Sequence, residues 1–158
     1  MYPNPDLQRR RQADEHAREQ IVSDLLREVW SEGRVEASDD YIAPRYTIHH
    51  DPGDPWATRE LDIEGYKARV SESRAPFPDQ RFEVQESFAD GHIVVVTWSW
   101  TATHRGDLPG FPATGRTITM SGATVYYFDG DRITGHWQIT DRLGVFQQLQ
   151  RGHSSQAR

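Results

Sequence analysis

The stretch His92-Ile93-Val94-Val95-Val96-Thr97-Trp98-Ser99-Trp100-Thr101-Ala102-Thr103-His104 decides the fold. It is a long β-strand. Side chains alternate across a strand, so Val94, Val96, Trp98, Trp100, Ala102 and His104 share one face. Asp90-Gly91, just upstream, is a hairpin turn signal. It leads back to Arg81–Phe88, where Phe82 and Val84 alternate with Arg81, Glu83 and Gln85. Downstream comes a Gly/Pro loop from Gly106 to Gly115, then a strand from Arg116 to Phe128. Asp129-Gly130-Asp131 turns the chain into a last strand, Arg132–Thr140, with Asp141 at its end and a closing helical turn over Leu143–Leu149.

The N-terminal half is mainly helical. From Asp14 to Glu32, Ile21, Leu25 and Val29 recur at helical spacing beside Val22, Leu26 and Trp30, giving a wide apolar stripe. Gly33 follows as a helix stop. Ser38–Tyr41 opens a short second helix, and Tyr46–His50 alternates before the dense turn Asp51-Pro52-Gly53-Asp54-Pro55. Ile63–Ser73 is another amphipathic helix, ended by Pro76 and Pro78. This order predicts an α+β fold: a cone-shaped, strongly curved mixed/antiparallel sheet with helices packed over its concave face. Such a cone leaves a pocket with an apolar lining and a few polar groups. The expected organisation is a disordered arm over residues 1–12, one domain over 13–150 and a mobile tail over 151–158.

Composition excludes several classes. The 158-residue chain has no cysteine, which removes disulfide frameworks, thiol catalysis and cysteine-based metal sites. It has no apolar run of membrane-spanning length and no secretory h-region at its start, so a cytoplasmic location is expected. The net charge of −6 argues against nucleic acid as a partner. Low hydrophobic content (35%) is offset by 11% aromatic residues, which bury large area per side chain.

The segments Val29-Trp30-Ser31-Glu32-Gly33, Tyr46 through Gly53, Ala75-Pro76-Phe77-Pro78-Asp79, Thr103-His104-Arg105-Gly106, Gly110 through Arg116 and Gly135 through Gly144 together resemble the SnoaL-like polyketide cyclases, also called ester cyclases. The resemblance covers roughly Glu19 to Leu149. It implies the nuclear-transport-factor-2-like cone shared with ketosteroid isomerase and scytalone dehydratase. It also implies aldol ring closure of aromatic polyketides without metal or organic cofactor, and dimers or tetramers. The family's acid/base aspartate ends the final strand, where Asp141 stands, and a histidine assists it.

The residues themselves point to the following chemistry. Strand alternation puts Asp141 on the face of Ile139 and Trp137, where desolvation would raise a carboxyl pKa toward that of a general base. The competing role is a turn aspartate capping Leu143–Leu149. His104, on the face of Trp98 and Trp100, and His50, on the face of Tyr46 and Ile48, are candidates to polarise a carbonyl or relay a proton. Each has an ordinary strand-end or turn role as its alternative. His136 alternates away from Trp137 and is expected to face outward or a subunit contact. His49, His50 and Asp51 do not converge as neighbours on a strand, so no metal site is expected. Trp98, Trp100, Tyr126, Trp137 and Tyr46 are the candidate substrate-binding set, with the Tyr126 hydroxyl placed to donate to an enolate oxygen; each could equally be core. The expected ligand is a small hydrophobic or aromatic carbonyl compound, and the expected assembly a homodimer or homotetramer. A dehydratase, an isomerase or a non-catalytic binder in the same pocket are the alternatives.

Overall fold

The strand built on Val94–Ala102 spans Ile93–Thr103 (β4) and alternates buried and half-buried along most of its length. It lies inside a six-stranded sheet made with Ile42–His50 (β1), Glu60–Asp62 (β2), Arg81–Asp90 (β3), Thr117–Asp129 (β5) and Arg132–Thr140 (β6). The computed structural model describes residues 4–154. The strand order is β2-β1-β6-β5-β4-β3. β3 to β6 are antiparallel neighbours, whereas β1 lies parallel to β6, so the sheet is mixed. The short strand β2 has no sequence signal: three residues, Glu60–Asp62, owe their extended form to pairing with Arg45–Thr47.

The helices are Pro5–Leu25 (α1), Ser38–Tyr41 (α2), Ile63–Arg74 (α3) and Arg142–Ser154 (α4). α1 begins well before Asp14: Asn4 caps it through a 2.9 Å bond from the Asp6 amide, and Pro5 takes the first turn, where no amide is needed. Arg11 pairs with Glu15 and Asp90, and Arg18 donates to the Gly91 and Gly130 carbonyls, so this polar segment docks on hairpin tips. Of the expected disordered arm, residues 4–12 are therefore capped or helical, and 1–3 lie outside the described residues. Of the expected mobile tail, 151–154 extend α4, and 155–158 lie outside the described residues.

At Leu26–Ser31 the first helix widens into a π-turn. The Trp30 and Ser31 carbonyls it exposes are taken by Arg74 and Gln80, and the Ser31 hydroxyl bonds Leu26 O while accepting from the Phe82 amide. Widened turns of this kind recur at functional sites; here the π-turn holds Trp30 over the sheet. The core cluster joins Val22, Leu25 and Val29 to Val94, Val96 and Ile133 under the inner sheet face.

Two irregularities decide which side chains face inward. On β1, Ile48 pairs with His136 but His50 with Trp137, so one extra residue is accommodated between them. On β6, Tyr127 pairs with Gly135 and Phe128 with Ile133, leaving Thr134 as the extra residue. After that bulge His136, Gln138 and Thr140 face the cavity, while Trp137 and Ile139 are 38% and 48% exposed.

Candidate functional site

The concave face encloses a cavity of about 560 Å³. Its apolar wall includes Trp30, Phe77, Phe82, Trp98, Trp100 and Met120, and α4 closes one side with Val145, Phe146 and Leu149. The rings pack edge to face: Trp98 on Phe82 at 5.0 Å and Trp100 on Phe77 at 5.0 Å. The volume suits a small organic ligand of a few fused rings.

The polar end starts from Asp51, the residue after the β1 bulge. The bulge turns His50 outward and Asp51 inward, where its side chain is fully buried. Asp51 Oδ2 accepts from His136 Nε2 (3.2 Å), Gln138 Nε2 (3.0 Å) and Arg69 Nη2 (3.3 Å), and Oδ1 accepts from Arg142 Nη2 (2.8 Å). Burial alone would raise this carboxyl, but the bonds from His136 and Arg142 hold it down at about 2, so it is ionised at neutral pH. Because an ionised Asp51 only accepts, His136 carries its proton on Nε2. Its Nδ1 then accepts from the Tyr46 hydroxyl at 2.6 Å. Burial lowers the His136 pKa below 6.5, the Asp51 bond opposing this in part, so the imidazole is neutral at pH 7. Burial likewise pushes the Tyr46 phenol well above its usual value.

Arg69, on the inner side of α3, bridges Asp51 and Asp54 (2.9 Å), and its guanidinium lies 5.2 Å over the Trp30 ring. Gln138 extends the network outward: its Oε1 accepts from the Thr124 hydroxyl at 2.7 Å, and that hydroxyl accepts from Trp98 Nε1 at 2.9 Å. A polar chain thus runs from the aromatic wall to the ionised carboxylate, and ends on the other side in Tyr46, which lines the cavity.

The structure brings together some of the residues expected from sequence and separates others. Tyr46, Trp98, Trp100 and Tyr126 line the cavity. Trp137 does not: it lies on the outer face, stacked on His50 at 4.8 Å and 12°. His50 is outside as well, because the β1 bulge between Ile48 and His50 reverses its side. His104 is fully buried, tilted against Phe77 at 5.5 Å with Nδ1 on the Thr114 hydroxyl, and is not among the cavity-lining residues. Asp141 is exposed and caps α4, accepting from the Gly144 amide at 2.9 Å. Its expected face was inferred from apolar Ile139 and Trp137, and those two residues point outward. His136, expected outside, is the buried histidine of the site.

Asp51, Asp54, Arg69, Gln138 and Arg142 carry most of the polar end; from the sequence, Asp51 is weighed only as a metal ligand and the other four are assigned no role. Asp51 and Asp54 lie in the Pro/Gly turn, and the only pattern that could have flagged them is two acids in a turn that follows a histidine pair.

Residues 20–149 match the SnoaL-like polyketide cyclase family. The chain belongs to that family, and its architecture is the nuclear-transport-factor-2-like cone. Among solved structures, a presumed polyketide cyclase from Acidithiobacillus ferrooxidans is 66% identical, with a TM-score of 0.84 over 86% of this chain and 96% of that one. IdmH, a presumed polyketide cyclase from Streptomyces antibioticus, is 26% identical, with a TM-score of 0.71 over 84% of this chain and 97% of that one. AclR, a presumed hydroxylase from Streptomyces galilaeus, is 16% identical and shares the fold (TM-score 0.72, 87% of this chain and 83% of that one). Comparison with curated proteins gives no match. Among the described residues, no helix is long and apolar enough to cross a membrane.

Proposed function

We propose that the chain closes a ring in a flat carbonyl compound by acid/base catalysis, with Tyr46, His136 and Asp51 as the proton-handling group. The observation that carries this is the continuous chain from ionised Asp51 through His136 to the Tyr46 hydroxyl at the cavity wall. Neutral His136 Nδ1 draws the Tyr46 proton while the phenolic oxygen takes a proton from the carbon alpha to the ligand carbonyl. Asp51 stabilises the imidazolium this creates. Because the Tyr46 phenol is hard to ionise, the two transfers are coupled and no free phenolate is needed. The Tyr126 hydroxyl, also at the wall, donates to the developing enolate oxygen. The enolate carbon attacks a second carbonyl of the same molecule, and the proton returns through Tyr46 to the new alkoxide. One C–H bond and the π bond of the attacked carbonyl break, one C–C bond and one O–H bond form, and mass is unchanged. The family and the cyclase names of its relatives from A. ferrooxidans and S. antibioticus support this reading.

The same group could serve a dehydratase or an isomerase, and loss of water or retention of ring count separates these products. One observation favours a non-catalytic binder: both carboxylates at the polar end, Asp51 and Asp54, are already ion-paired. The test is incubation of an anthraquinone bearing a β-keto side chain with the wild type and with His136→Gln. An isomeric, ring-closed product from the wild type, lost in the variant, is expected. Binding without conversion, equal in both proteins, assigns the binder.

Assembly as a homodimer belongs to the same proposal. The runs 93–103, 117–128 and 133–140 contain no Asp, Glu, Lys or Arg, in a chain that is 27% charged. Their outer face, with Trp137 and Ile139 exposed, fits a second copy of the chain. Light scattering should give about twice the monomer mass.

A further inference from the structure

We infer that the cavity is charge-selective against anions and that Asp54 sets this selectivity; the inference rests on the reading of the cavity as a ligand site. Two arginines, buried Arg69 and half-buried Arg142, reach its polar end, and two guanidinium groups at the end of a cavity would ordinarily suggest an anion site. Neither charge is free. Arg69 is bound by Asp54 at 2.9 Å and Asp51 at 3.3 Å, and Arg142 by Asp51 at 2.8 Å, with Asp54 a further 3.9 Å away. Two acids match two arginines in charge, so an incoming carboxylate meets no net positive charge, although the buried Arg69 Nε has no hydrogen-bond partner among the described residues. At the mouth, Glu72 and Asp107 add two more negative groups to the lining. Burying an anion without a counter-charge is unfavourable, so a neutral carbonyl ligand is accepted and its carboxylate analogue refused.

Asp54 is the residue to vary because its two oxygens have separate tasks. Oδ1 accepts from the Trp56 amide at 2.8 Å, shaping the turn that places Trp56 at the cavity, while Oδ2 neutralises Arg69. Asparagine keeps an oxygen for the turn and removes the charge. Asp54→Asn therefore leaves Arg69 and Arg142 with Asp51 alone, a net positive polar end.

The experiment uses two probes of similar shape, 2-(hydroxymethyl)anthraquinone and anthraquinone-2-carboxylate, titrated into the full chain with quenching of the cavity tryptophans as the readout. The wild type should bind the neutral probe about tenfold or more tightly than the anion. Asp54→Asn should tighten the anion about tenfold while leaving the neutral probe nearly unchanged, which also reports that the variant is folded. Glu72→Gln, an exposed change at the mouth, should tighten the anion about twofold and serves if Asp54→Asn does not fold. Equal wild-type affinity for the two probes, or an unchanged ratio in the folded variants, overturns the charge selectivity while leaving the ligand site standing. Failure of the wild type to bind either probe instead removes the reading of the cavity as an aromatic ligand site, and the selectivity with it.

Discussion

β4 and β6 are two strands of one sheet with opposite relations between pattern and burial. On β4 the apolar row Val94, Val96, Trp98 and Trp100 faces inward, as alternation predicts. On β6 the apolar pair Trp137 and Ile139 faces outward, and the polar row His136, Gln138 and Thr140 faces the cavity. Alternation tells which residues share a face. It says which face is inside only where the inside is apolar. Where the interior carries a hydrogen-bonded polar network, the rule inverts, and the inversion marks the polar end of the cavity.

The contrast can be broken by substitution. The largest stability effect is expected at Asp51, which anchors the inverted end: Asp51→Asn removes the buried charge that Arg142 and Arg69 share, leaving Arg69 with Asp54 alone, and should cost about 3–5 kcal/mol in urea unfolding. Trp100→Ala, on the conforming strand, should cost a similar amount, about 3–5 kcal/mol, through loss of packing. Trp137→Ala, its apolar counterpart on β6, should cost under about 1 kcal/mol in the monomer, since more than a third of that side chain is in water. A loss as large as that of Trp100→Ala would mean that Trp137 is core.

The pH dependence sharpens the same point. Asp51 is depressed, so its contribution to stability is complete above the ordinary carboxyl value of 3.8 and fades as pH falls toward about 2. His136 is also depressed, so the unfolded chain takes up its proton first and stability declines as pH falls below 6.5. NMR titration of the imidazole should show the Nε2–H tautomer at pH 7 and a midpoint below 6.5. An imidazolium at pH 7 would contradict this account of the polar end. The smallest expected effect is at Asp141: Asp141→Ala removes a helix cap and should cost about 1 kcal/mol, while Asp141→Asn should cost little, because asparagine caps equally well.

Much of the fold was legible in the sequence because its strands are long and their turns carry Asp-Gly signals. β2 was not, because three residues paired to β1 have no period of their own. The start of α1 was hidden by its polarity: Arg11 and Arg18 hold the helix through charged contacts to distant turns, which no local pattern reveals. The aromatic wall of the site was legible through β4. The polar end was not, because single-residue bulges on β1 and β6 set the side on which His50, Asp51 and His136 emerge, and a bulge leaves no mark in hydrophobic alternation. Asp54 and Arg69 meet only because the turn after β1 folds back on α3.

The central claim is that proton transfer belongs to the buried His136 and not to the aspartate at the strand end. It is tested by the turnover of His136→Gln and Asp141→Asn, side by side, on one ring-closing substrate. The account predicts a loss of about 10²- to 10⁴-fold for His136→Gln and near wild-type turnover for Asp141→Asn. Full turnover in the first, or collapse in a well-folded second, would contradict it.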